Sequence, residues 1–118
     1  MLYTAQQTTQ LPPNGFRYLR TSLIDHVLTI TLNRPEKKNA LHRPMLAELA
    51  FAMAYAHYNA NVWLVVLAAA GDTFSAGMDL RALSEGDSET PTVPEPSGLV
   101  RLGELMANLH KPSIARVQ

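Results

Sequence analysis

A chain of 118 residues, 47% hydrophobic and 17% charged, has the size and composition of one soluble globular domain and not of a disordered segment. Ten basic residues against ten acidic ones give a formal net charge of zero, which removes the electrostatic footprint expected for nucleic acid or an anionic membrane. The absence of cysteine excludes disulfides, thiolate catalysis and cysteine-ligated metals, and fits a cytoplasmic setting.

The first residues, MLYTAQQTTQLPPNGF, lack a basic stretch followed by an apolar core, so they do not read as a secretory signal. Residues 1–17 are expected to form a loose leader, and residues 18–118 the folded part. Leu28, Ile30 and Leu32 alternate with Thr29 and Thr31, the period of a half-buried strand. Asp25-His26 can turn an earlier strand over 18–24 into it, which predicts a hairpin. Pro35 ends that strand, and a polar stretch, EKKN, leads to a helix predicted over 43–58. There Met45, Leu49, Met53 and Ala56 recur at helical spacing beside Leu46, Ala50 and Ala54, the pattern of an amphipathic helix with Pro44 tolerated in its first turn.

The most apolar run, VWLVVLAAA at 62–70, has nine residues, less than half of the roughly 20 that span a bilayer. Its branched and apolar content suits a strand buried on both faces of a parallel sheet, so that strand, helix and strand make a βαβ unit. Residues 84–98, SEGDSETPTVPEPSG, read as a mobile surface loop. Leu99, Leu102, Leu105, Met106 and Leu109 then predict a second helix, which stops before His110-Lys111-Pro112. A last strand is predicted over 113–117.

The stretch DTFSAGMDL at 72–80 lies where the buried strand ends, and open α/β sheets bind ligands at the carboxyl ends of their strands. Ser75, Ala76 and Gly77 are small enough for a ligand to approach the backbone, and a helix starting near Met78 would aim unpaired N–H groups at a negative atom. Equally, Gly77 could serve only a tight strand-to-helix turn, with Asp79 capping or solvating the helix start.

Three segments in this order and spacing, VLTITLNRPEKKNAL at 27–41, VVLAAAGDTFSAGMDL at 65–80 and HKPSIARVQ at 110–118, resemble the enoyl-CoA hydratase/isomerase (crotonase) family. The resemblance runs from about Tyr18 onward and corresponds to the amino-terminal part of a family member. It implies an α/β fold of crotonase-like ββα units, the N-terminal part of the family's spiral, stopping at Gln118 before the glycine-rich oxyanion segment. It also implies an acyl-CoA thioester as substrate, with coenzyme A entering as part of that substrate, no separate cofactor or metal, and a homo-oligomer, trimeric or hexameric in full-length members.

By that resemblance, the backbone N–H of Met78 would polarise the thioester carbonyl in an oxyanion hole. Ala40, Leu41, Ala76, Gly77 and Leu80 would border the coenzyme A portion. Arg81 stands where family members often carry a basic residue near the phosphates, and reads equally as an exposed helix charge. Lys37 and Lys38 could meet phosphate, though a solvated loop accounts for the pair. The second oxyanion donor and the acids that activate water in hydratases of this family would lie beyond residue 118. Glu36 reads as a loop acid, and Glu48 and Glu104 as helix-surface charges. The histidines at 26, 42, 57 and 110 show no metal-ligand spacing and read as structural or surface residues, while Asn33 would end its strand through its side chain.

Two other readings remain open. Thr73-Phe74-Ser75-Ala76-Gly77 is one residue short of a G-x-S-x-G nucleophile elbow, which would make the chain a Clp-like serine hydrolase. Alternatively it is a non-catalytic module that binds a CoA ester or drives oligomerisation.

Overall fold

The computed structural model describes residues 3–75, 77, 91–94 and 113–115. Strands β1 (Leu19–Ile24) and β2 (Val27–Leu32) form the expected antiparallel hairpin, in register from Leu19 opposite Leu32 to Ile24 opposite Val27. Asp25 and His26 close it, both at positive φ, 51° and 66°. Two consecutive left-handed residues give the turn whose twist matches that of the flanking strands. Along β2, Leu28, Ile30 and Leu32 are buried while Val27, Thr29 and Thr31 are half-buried, as the alternation requires.

After Pro35–Lys37, a single 3-10 turn, helix α1 occupies Arg43–Tyr58. His42 precedes it in an extended conformation, and Pro44 sits in the first turn, where no intrahelical donor is lost. Asn59 closes the other end, its N–H donating to Tyr55 O at 3.0 Å. The helix differs from the amphipathic one expected. Every residue from Met45 to Ala54 is buried, and Ala56 as well. The small side chains of Ala47, Ala50, Ala52, Ala54 and Ala56 let neighbouring chain approach on several sides, and a helix apolar all round must be covered all round.

Part of that cover comes from residues expected to form a loose leader. Tyr3 and Thr8 are buried, and the ring of Tyr3 meets Phe51 edge-on with centroids 5.3 Å apart. Phe16 approaches the same ring at 6.1 Å, and the Tyr3 hydroxyl donates to Pro94 O. From the loop expected at 84–98, Val93 is buried in the same core.

Glu48 is the second correction, since it is no surface charge: its side chain is 1% exposed. Its Oε2 accepts the Arg17 N–H at 2.8 Å and the Thr92 hydroxyl, and its Oε1 accepts the Tyr18 N–H at 2.7 Å. A buried carboxylate is tolerated only when its lone pairs find donors, and here three are supplied.

Strand β3 (Leu64–Ala69) runs parallel to β2, with Val27 opposite Leu64 and Leu32 opposite Ala69. Its second half, Leu67, Ala68 and Ala69, is buried on both faces, whereas Leu64 and Val66 are half-buried. Strand β4 (Ser113–Ala115) adds in parallel to β3, Ser113 opposite Val65, giving the order β1-β2-β3-β4. Fully buried Leu28, Ile30, Leu49, Met53 and Val65 form the centre of the core, each worth about 1.5–3 kcal/mol of transfer free energy. Because β2 and β3 are parallel, the loops that leave them emerge side by side.

Candidate functional site

The ladder between β2 and β3 extends one step past the strands, where Ala70 N–H donates to Leu32 O at 2.8 Å. From there the chain following β2, residues 33–41, and the described chain following β3, residues 70–75 and 77, lie against each other. The link between them is Asn39, which is fully buried at a φ of 53°. Its Oδ1 accepts the Arg34 N–H at 2.8 Å, and its Nδ2 donates to both Ala70 O and Thr73 O, each at 2.8 Å. The main chain joins in: Asn39 N–H donates to Arg34 O at 2.8 Å, and Asn39 O accepts the Ser75 hydroxyl at 2.9 Å. A carboxamide is the side chain that can both accept and donate twice, and this position uses both of its donors and one of its acceptor lone pairs.

Arg34, also buried, donates from Nη1 to Ala40 O at 2.8 Å, bracing the same loop from within. Gly71 lies at a φ of 84°, and a Cβ there would stand 3.0 Å from the Pro35 Cβ, so glycine lets the two loops close on each other. Ser75 Oγ accepts the Gly77 N–H at 3.1 Å, and Gly77 O accepts the Leu41 N–H at 2.7 Å. Gly77 itself is exposed, at a φ of 90°.

Three of the seven residues assigned from the sequence are therefore gathered at one place. Ala40 is half-buried, Leu41 is buried, and Gly77 is hydrogen-bonded directly to Leu41. Ala76, Met78, Leu80 and Arg81 lie outside the described residues, as do the predicted second helix and His110. Lys37, Lys38 and Glu36 are exposed on the loop. Asn33 N–H donates to Tyr18 O at 2.8 Å, and its Oδ1 accepts from Arg20 Nη2 at 3.1 Å, so both of its ends tie it to β1 and its approach. Ser75 gives its hydroxyl proton to a main-chain carbonyl, not to a base, an arrangement suited to holding a turn.

The other histidines have packing roles. His26 stacks on Trp63 with centroids 3.7 Å apart, and its Nδ1 lies 2.9 Å from Asn61 O. His42, buried, meets Tyr18 edge-on at 4.4 Å, and His57 meets Tyr58 at 4.7 Å. Among the described residues, no group of three or more His, Asp or Glu side chains could hold a metal, and no helix is long and apolar enough to cross a membrane.

The family model described as enoyl-CoA hydratase/isomerase matches residues 24–118. The chain belongs to that family. Among solved structures, an enoyl-CoA hydratase of Mycobacterium marinum, EchA8_6, superposes with a TM-score of 0.72 at 32% identity, over 85% of this chain and 47% of that one. An enoyl-CoA hydratase/isomerase of Pseudoalteromonas atlantica gives a TM-score of 0.69 at 36% identity, over 86% of this chain and 38% of that one. In sequence, EchA13 of Mycobacterium tuberculosis, named as an enoyl-CoA hydratase, is 41% identical over 81 residues, 67% of this chain and 26% of that protein. The chain thus has the α/β crotonase fold and spans less than half the length of these relatives.

Asn39, Arg34 and Glu48 were not singled out from the sequence as structural nodes. For Glu48 a signal existed: it is the only acid in RPMLAELAFAMAYAHY, a helix with no charged face to carry it. For Asn39 there was none, since it closes a run of three charged residues that are exposed.

Proposed function

We propose that this chain supplies part of an acyl-CoA site, in which a backbone N–H at the turn following β3 polarises the thioester carbonyl of the substrate. The observation that carries the reading is the Leu41 N–H to Gly77 O hydrogen bond, 2.7 Å long, which joins the segment proposed to border coenzyme A to the turn proposed to carry the donor. Met78 is the proposed donor. Ala40, Leu41, Ala76, Gly77, Leu80 and Arg81 are proposed to contact the coenzyme A portion. A preorganised N–H facing a developing enolate oxygen stabilises charge without reorganising at the moment of reaction, and losing one such donor costs about 10²–10³ in rate in acyl-transfer enzymes.

Thioester polarisation calls for hydrogen-bond donors and no electron carrier, so the reading requires no metal or redox group. Hydration further needs a carboxylate within reach of a water. Both oxygens of Glu48 are engaged by backbone and hydroxyl donors, and Glu36 and Asp72 are exposed. On the family resemblance, we propose that the catalytic acids are contributed from beyond residue 118, that the chain alone binds without turnover, and that the complete site belongs to a cytoplasmic homo-oligomer.

Isothermal titration with a short acyl-CoA and with free coenzyme A, beside an enoyl-CoA hydration assay on the same sample, tests this. Tighter binding of the acyl-CoA without turnover is expected. Turnover would overturn the placing of the acids, and binding of neither compound would overturn the site.

A further inference from the structure

We propose that Asn39 is the positioning residue of this site: through its carboxamide it fixes the orientation of the peptide group between Gly77 and residue 78, and hence the direction of the donor N–H. The inference rests on the acyl-CoA reading and specifies how that site is held.

The peptide unit is planar, and in its trans form the N–H points opposite the C=O. Residue 78 is methionine, and a peptide bond that does not precede proline is almost always trans. The carbonyl of that peptide is Gly77 O, which accepts the Leu41 N–H at 2.7 Å. Whatever orients Leu41 therefore orients the N–H on the far side of the same plane. Leu41 is two residues from Asn39, in a loop that Asn39 ties to the opposite chain at three points: Ala70 O, Thr73 O and the Ser75 hydroxyl. Ser75 in turn accepts the Gly77 N–H at 3.1 Å, so the peptides on both sides of Gly77 are held, one by Ser75 and one by Leu41. Gly77, at a φ of 90° and exposed, has no side-chain packing to hold it, and these hydrogen bonds supply the constraint.

Asparagine is required because the position needs one acceptor and two donors. Asn39→Asp keeps the shape and the acceptor for Arg34 N–H, but sets a carboxylate oxygen against the carbonyls of Ala70 and Thr73. The control is Met53→Ala, a fully buried core site in the middle of α1 whose side chain takes no part in the hydrogen bonds that join the two loops.

The test compares the wild-type 118-residue chain with Asn39→Asp, Ser75→Ala and Met53→Ala. The first readout is the absorption shift of a bound conjugated enoyl-CoA, which reports polarisation of the thioester carbonyl. The second is the exchange rate of the Leu41 amide in the ligand-free chain. Asn39→Asp is expected to lose most of the absorption shift and to weaken acyl-CoA binding relative to coenzyme A by about tenfold, the scale of one mispositioned hydrogen bond. Ser75→Ala is expected to lose part of the shift, and Met53→Ala to keep it. The Leu41 amide should exchange at least about tenfold faster in both loop variants than in Met53→Ala. If Asn39→Asp does not fold, Ser75→Ala carries the test alone. A full shift and a protected Leu41 amide in the loop variants would overturn the positioning role while leaving the site intact. Absence of any shift or acyl-CoA binding in the wild type would overturn both.

Discussion

The carboxylate of Glu48, in the second turn of α1, accepts the backbone N–H of Tyr18, the residue just before β1, at 2.7 Å. Thirty residues of chain separate them. With Arg17 N–H and the Thr92 hydroxyl on the other oxygen, this one side chain joins the approach to β1, the helix and the segment at 91–94. Glu48→Ala would bury the two N–H groups without acceptors and should cost about 2–4 kcal/mol. Glu48→Gln keeps one acceptor oxygen and should cost about half as much. Urea unfolding of both variants checks the order.

Tyr3 is 1% exposed and packs edge-on against Phe51. Removing its ring should destabilise the chain by about 2 kcal/mol, somewhat below the cost of a central aromatic because the terminus can partly collapse into the space. An unchanged thermal midpoint for Tyr3→Ala would show that the first residues contribute nothing to the core.

Gly71 combines a φ of 84° with a Cβ approach of 3.0 Å to Pro35. Gly71→Ala should therefore cost about 1–3 kcal/mol, from backbone strain together with separation of the two loops. Its acyl-CoA affinity should fall as well, since the separated loops are those bearing Leu41 and Gly77. Calorimetric unfolding and titration on the same variant measure both.

Lys38 is exposed and holds a φ of 51° at the end of the 3-10 turn. Glycine there relieves left-handed strain and loses no packing, and after the entropy it adds to the unfolded chain the net gain should be about 0.5–1 kcal/mol. Coenzyme A affinity should stay the same, as befits a solvated loop cation. A fall in affinity would assign Lys38 to the phosphates.

The hairpin, the helix span and the central strand were legible because each rests on a local rule: alternation over Leu28, Ile30 and Leu32, helical spacing over residues 43–58, and a short run of branched apolar residues at 62–70. The environment of α1 was not, because spacing tells which residues share a face and not how many faces are covered. The cover over Phe51 comes from Tyr3 and Phe16, in a polar-looking leader. Family resemblance singles out Leu41 and Gly77, yet it does not reveal what holds their loops together. Asn39 and Ser75 act through main-chain carbonyls 31 to 36 residues away, and such partners leave no periodic trace in sequence.

The most direct test of an acyl-CoA site at these loops is the amide spectrum of the isotope-labelled chain titrated with a short acyl-CoA. Perturbations concentrated at Asn39, Ala40, Leu41, Ser75 and Gly77, with Ile24 and Trp63 at the hairpin end unmoved, are expected. Perturbations centred on the hairpin end, or none at saturating ligand, would contradict it.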